Sequence, residues 1–218
     1  QIADEFEPQT LRVSPLGDDA NTGLTWAEAL ASPQEAFDRA AGREAPTEIW
    51  LAAGNYSVDG PATDLFTIPG DVTLLGGFNG SELDPRDRGP QANVSTLHAD
   101  GRLRTAVLAN PGAPLLIDGV RFTGANAVRP PREFWTLSFF SESGDLVPYS
   151  ASNSSGALLA THPDTTISRC IFELNHAGAD AAVSAEPGVT IRDSHIRNNT
   201  STAGLVTLNS IPDLIYGA

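Results

Sequence analysis

Apolar residues in the second half of this chain alternate with polar ones in runs too short for helices. Val120-Arg121-Phe122 and Cys170-Ile171-Phe172 read in–out–in, and 157–159 and 205–208 are equally brief. Gly, Asn, Asp or Pro bound each run, the punctuation of strands and turns. The runs also recur. At a spacing of 24, Ile167, Ile191 and Ile215 fall in register, as do Cys170 with Ser194, Phe172 with Ile196, Asn175 with Asn199, and Ala182 with Val206. A shift of 50 sets Ile117, Val120 and Phe122 over Ile167, Cys170 and Phe172. Self-similarity at such periods marks stacked supersecondary units. Three short strands per repeat predict an all-β, right-handed parallel β-helix, with aligned residues stacked at roughly 4.8 Å. Asn175 and Asn199 should then form a stacked pair at a bend. Helical repeats would need long amphipathic stretches, and none follows residue 45.

The first half reads as the entrance to that solenoid. Leu11-Arg12-Val13 predicts a short strand, and a helical turn is expected around Trp26–Leu30. Ser32-Pro33-Gln34-Glu35 is a capping box with proline at the first helical position, so a helix should span Pro33–Ala41 and bury Ala36, Phe37 and Ala40. Strands follow at 48–52, 55–58, 65–68 and 72–75, with Gly76-Gly77-Phe78 turning the chain. Further strands are expected at 94–97, 106–108 and 115–122. The organisation is therefore an N-terminal arm and capping helix over 1–45, then β-helix coils over 46–218, as one continuous domain.

The period breaks once. Between Phe122 and Ala157 it lengthens from 24 to 50, which places an insertion at 125–156. In solenoids such insertions become loops on one flank. This one contains Arg132, Phe134, Trp135, Phe139, Phe140 and Tyr149, a set suited to stacking on sugar rings or on a protein partner.

Composition narrows the partners. The chain has 218 residues, a net charge of −14, and only arginine as its 13 basic residues. So acidic a surface repels nucleic acid and anionic membranes. No apolar run reaches the ~18 residues needed to span a bilayer. The start at Gln1 points to a processed or excised chain. The stop at Ala218, a few residues into another repeat, points to a fragment of a longer β-helix or to an edge covered by a partner. A lone cysteine, Cys170, forms no internal disulfide and aligns with inward positions, so it reads as a small buried hydrophobe.

Asp18, Asp19 and Asn21 crowd three oxygen ligands into a turn before Gly23, a candidate calcium site; no other cofactor is implied. Stacking predicts three outward columns: Arg121, Ile171 and His195; Thr123, Glu173 and Arg197; Asp118, Ser168 and Arg192. Glu173 should pair with Arg197. The histidines at 98, 162, 176 and 195 lack metal-ligand spacing and read as solvated turn positions.

The run Ser14–Trp26, the capped helix, Ile49–Tyr56 and Leu74–Phe78 together resemble the amino-terminal half of bacterial secreted or surface β-helix proteins of the pectin-lyase-like superfamily. Phe172-Glu173-Leu174-Asn175 and Ile196-Arg197-Asn198-Asn199 resemble, more distantly, the Phe-x-x-Asn repeats of polymorphic outer-membrane proteins. The resemblance implies the fold and an extracellular or cell-surface location. Its members include lyases, hydrolases and adhesins, so it implies no single activity. The expected function is a non-enzymatic scaffold or adhesion domain whose aromatic loop binds polysaccharide or a surface protein. The alternative is a polysaccharide lyase or glycoside hydrolase acting on the same flank. For a lyase the resemblance implies an arginine base, nominally Arg121, Arg192 or Arg197 beside Asp118 or Glu173, but the sequence shows no clustered acidic site to accompany it.

Overall fold

Ser32 starts the one α-helix found among the described residues, α1 (Pro33–Ala41). These residues are 8–58, 66–101, 106–108, 114–127, 137–140, 146–149, 157–160, 163–177, 181–185 and 188–201 of a computed structural model. Ser32 Oγ accepts from the Gln34 and Glu35 backbone N–H groups at 3.1 and 3.5 Å, and Pro33 needs no donor there. The helix has the predicted bounds and buries Ala36, Phe37 and Ala40. The capping box, however, is not reciprocal. Glu35 turns to Arg39, 2.7 Å away, and the Ser32 N–H is taken instead by Asp19 Oδ1 at 2.8 Å.

The remaining regular structure is almost entirely β. After β1 (Gln9–Val13) and the helix come β2 (Thr47–Ala52), β3 (Gly54–Ser57) and β4 (Phe66–Ile68). The order repeats as β5 (Val72–Phe78), β6 (Ser95–His98) and β7 (Ala106–Leu108). Then follow β8 (Leu115–Asp118), β9 (Val120–Thr123), β10 (Asn126–Ala127), β11 (Leu137–Phe140), β12 (Leu146–Tyr149) and β13 (Leu158–Ala160). The last are β14 (Thr165–Ser168), β15 (Ile171–Glu173), β16 (His176–Ala177), β17 (Val183–Ala185), β18 (Thr190–Arg192), β19 (His195–Arg197) and β20 (Thr200–Ser201).

These strands sort into parallel sheets ordered β1-β2-β5-β8-β14-β18, β3-β6-β9-β15-β19, β4-β7-β13-β17 and β10-β16-β20. The chain thus visits the sheets in turn and returns to each one strand further along. Only β11 and β12 depart from this, pairing antiparallel with each other.

Register explains why the pattern was readable. Leu11, Ile49, Leu74, Ile117, Ile167 and Ile191 form one column through the first sheet, all essentially inaccessible. Tyr56, Leu97, Phe122, Phe172 and Ile196 form a second column through the next sheet. Each inward column is a continuous apolar ladder, and burying each large side chain is worth about 1.5–3 kcal/mol. Within the second, the Phe122 and Phe172 rings stack 5.0 Å apart and 7° from parallel. Helix α1 packs against β1, β2 and β4, with Phe37 meeting Phe66 edge-on at 6.3 Å.

One turn prediction needs correcting. Gly76-Gly77-Phe78 does not reverse the chain: β5 runs through to Phe78, and the register with β2 slips between Leu51 and Ala52. Gly77, at φ +101°, accommodates the extra residue, as glycine does in a bulge. No helix among the described residues is long and apolar enough to cross a membrane.

Candidate functional site

The Asp18–Asn21 turn is built into the start of α1. Asp18 Oδ1 accepts from the Ala20 N–H at 2.9 Å, closing a turn on itself. Asp19 Oδ1 takes the N–H groups of Ala31 and Ser32, at 2.9 and 2.8 Å. The Asn21 amide donates to the Ala29 carbonyl at 3.0 Å. Above the turn, Arg39 donates to the carbonyls of Asp19 (2.8 Å), Asn21 (2.9 Å) and Thr22 (3.2 Å). A guanidinium therefore already occupies the carbonyl face of the turn, and Asp19 serves as a surrogate cap for the helix. Among the described residues no three His, Cys, Asp or Glu side chains gather to hold a metal ion.

Of the aromatic set, Arg132, Phe134 and Trp135 lie outside the described residues. Phe139 and Phe140 belong to β11 and Tyr149 to β12, where Phe139 pairs with Val147, Phe140 with Leu146 and Leu137 with Tyr149 along the backbone. The parallel register persists at Asn126 and Ala127, which pair with His176 and Ala177. It is in place again at Leu158, which pairs with both Ala106 and Val183. The chain end at 202–218, on which the expectation of a continued or covered edge rests, lies outside the described residues.

The three stacked columns form with the predicted membership. Their placement on the outer surface holds only in part. Asp118 and Ser168 are buried at 4% and 2% exposure, and Glu173 and Thr123 are nearly so. Asp118 is buried because two arginines close over it. Arg88 Nη2 lies 2.5 Å from Oδ1, while Arg169 places Nη2 2.8 Å from Oδ1 and donates Nε to Oδ2 at 3.0 Å. Glu173 is bridged the same way. Arg197 Nε donates to Oε2 at 2.7 Å, as expected, and Arg121 Nε stands 3.2 Å from Oε1, in ion-pair range without hydrogen-bond geometry. The guanidiniums of Arg121 and Arg197 are thus both directed at one carboxylate. Arg192 is exposed, with Asp193 4.0 Å away.

Two further groups depart from expectation. His98, His176 and His195 occupy β6, β16 and β19 rather than turns, and His98 Nδ1 accepts the Asp100 N–H at 2.9 Å; His162 lies outside the described residues. Arg88 and Arg169 were not singled out by the sequence at all. Arg169 stands in the repeat position held by Gly119 and Asp193, and all three adopt positive φ (49°, 73° and 51°). That conformation is routine for Gly and tolerated by Asp, but costly for Arg. At Gly119 a Cβ would come within 2.9 Å of Arg88 Nη1, so glycine there is what admits Arg88 to Asp118. An arginine at a corner position was the available signal.

Cys170 is fully buried, as its alignment implies. Its backbone N–H donates to Ser194 Oγ, the aligned residue, at 3.1 Å, and burial raises its thiol pKa to about 12. No protein-family model matches the chain, and no curated protein matches it.

Proposed function

We propose that the protein is a right-handed parallel β-helix of the pectin-lyase-like kind, serving as an extracellular or cell-surface scaffold. It presents residues 125–156 to a glycan or a protein partner and carries out no reaction itself. One observation carries this reading. Parallel register runs through β8, β14 and β18, while the chain between β8 and β14 supplies the one antiparallel pair among the described residues, β11 and β12, with Phe139, Phe140 and Tyr149 on it. Among the described residues β11 and β12 join none of the parallel sheets and so add nothing to the ladder, which favours a recognition role. The location and kinship rest on the resemblance of 14–78 to secreted and surface β-helix proteins.

A glycan array and pull-downs with surface extracts test the proposal. Binding by the whole chain, lost on Trp135→Ala with the circular dichroism unchanged, supports it. Incubation with acidic and neutral polysaccharides tests the competing enzymatic reading. Unsaturated or reducing-end products that disappear on replacing Arg121, Arg192 or Arg197 would overturn the scaffold.

A further inference from the structure

Pro85, Arg86, Arg88 and Arg169 line an open cleft of about 350 Å³. Three guanidiniums on one cleft stand out in a chain with 13 arginines and a net charge of −14. We propose that this cleft binds an oxyanion: a carboxylate, sulfate or phosphate group, free or carried on a sugar.

The donors are held in advance. Arg88 is the buried floor, its side chain 7% exposed, donating Nη1 to the Gly76 carbonyl at 2.8 Å and facing Asp118 with Nη2. Arg169 lays its Nε/Nη2 edge on Asp118, and no described residue engages its Nη1. Asp84 holds Arg86 by the same edge, through Nε at 2.9 and 3.1 Å and Nη2 at 2.5 Å, and again no described residue engages Nη1. A carboxylate clamped on one edge of a guanidinium fixes its plane and leaves the other edge to a ligand. Asp84, Asp87 and Asp118 offset the arginine charges, so the cleft offers directed N–H donors rather than a strong positive field.

Arg169 supplies the second argument. Its positive φ is a conformation that Gly119 and Asp193 fill with less strain at the equivalent corners. Strain of this kind persists at sites where the side chain is used. Asp118 already has Arg88 as its buried counter-ion, and Arg169, with 54% of its side chain exposed, reaches the cleft.

Isothermal titration of the whole chain with sulfate, phosphate and acetate, at ionic strength matched with chloride, tests the site. Saturable binding of at least one anion is expected. Arg86→Gln and Arg169→Gln should each weaken it about tenfold, the scale of one charge-assisted hydrogen bond. Arg43→Gln, an arginine outside the cleft lining, should leave it unchanged. Circular dichroism confirms the fold of each variant. Repeating the titration with sulfated and uronate oligosaccharides and with phosphate monoesters identifies the carrier: tighter binding than the free ion assigns the sugar or ester, and equal binding assigns the free ion. No saturable binding of any of these anions, or binding untouched in both Arg86→Gln and Arg169→Gln, overturns the proposal.

Discussion

Asn175 donates its side-chain Nδ2–H to Asn199 Oδ1 across 3.0 Å, and its backbone N–H to the same oxygen at 3.1 Å. The two residues are 24 apart in sequence and adjacent in space. Asn175 Oδ1 in turn accepts the Ala125 N–H at 3.1 Å, and its Nδ2 also reaches the Phe122 carbonyl at 3.2 Å. Asn199 repeats the last of these bonds on Phe172, at 2.8 Å. Only an amide carries both the donors and the acceptor that such a bend needs, which is why asparagine recurs there.

Asn175→Ala should therefore destabilise the protein by about 2–4 kcal/mol, because the Ala125 N–H and the Phe122 carbonyl stay buried without partners. Asn199, only half-buried, should cost about 1 kcal/mol when replaced by alanine. Urea denaturation compares the two. Equal losses would mean that burial at the Asn175 bend does not set the penalty.

Asp19 acts on the helix from thirteen residues before Ser32, holding the N–H groups of Ala31 and Ser32. Asp19→Ala should cost about 1–2 kcal/mol, the range for a lost helix cap, while Asp19→Asn, which keeps an acceptor, should cost less. Thermal melts check this. The same melts with added calcium or a chelator bear on the metal reading of the turn: a calcium-dependent rise lost in Asp19→Ala would assign Asp19 as a ligand.

Much of the architecture was legible because it is periodic. Ile117, Ile167 and Ile191 announce their column by spacing alone, and Ser32-Pro33 announces α1. What escaped had no periodic signature. Asp19 reaches Ser32 through a fold-back no local pattern encodes, so the capping box looked self-sufficient. Asp118 sits in an outward register position, and its burial comes from Arg88, in a loop 30 residues earlier, closing over it together with Arg169. The strand at Gly76–Phe78 was hidden because two glycines signal a turn and a bulge alike. The aromatic insertion was visible as a break in period, but a break names no partner.

Cys170 gives a prediction in alkali. Burial raises its folded pKa to about 12 from an ordinary value of 9.0, so the unfolded chain loses the thiol proton first. Between these values the native state binds more protons than the unfolded state, and stability falls as pH rises. This thiol's contribution should be flat below about pH 9, decline above it, and vanish from the difference curve in Cys170→Ser. A thiol reagent at pH 8 should label the native protein no faster than it unfolds. Prompt labelling would contradict the burial.

Asp118 and its two arginines yield the sharpest contrast. Arg88 and Asp118 are 7% and 6% exposed, whereas Arg169 is 54% exposed. Asp118→Asn leaves the Arg88 guanidinium charged and enclosed, which should cost about 3–5 kcal/mol. Arg169→Gln leaves Asp118 its buried partner and removes a half-exposed pair, worth about 0–1 kcal/mol after solvent screening. Replacing Asp118 and Arg88 together, by leucine and methionine, removes both charges and should recover most of the loss, because a buried pair is often no better than apolar packing of similar volume. The double-mutant cycle, read by denaturant melts, decides it. Additive losses for Asp118 and Arg88 would show that the two act separately, and a large loss at Arg169 would make it, rather than Arg88, the structural counter-ion.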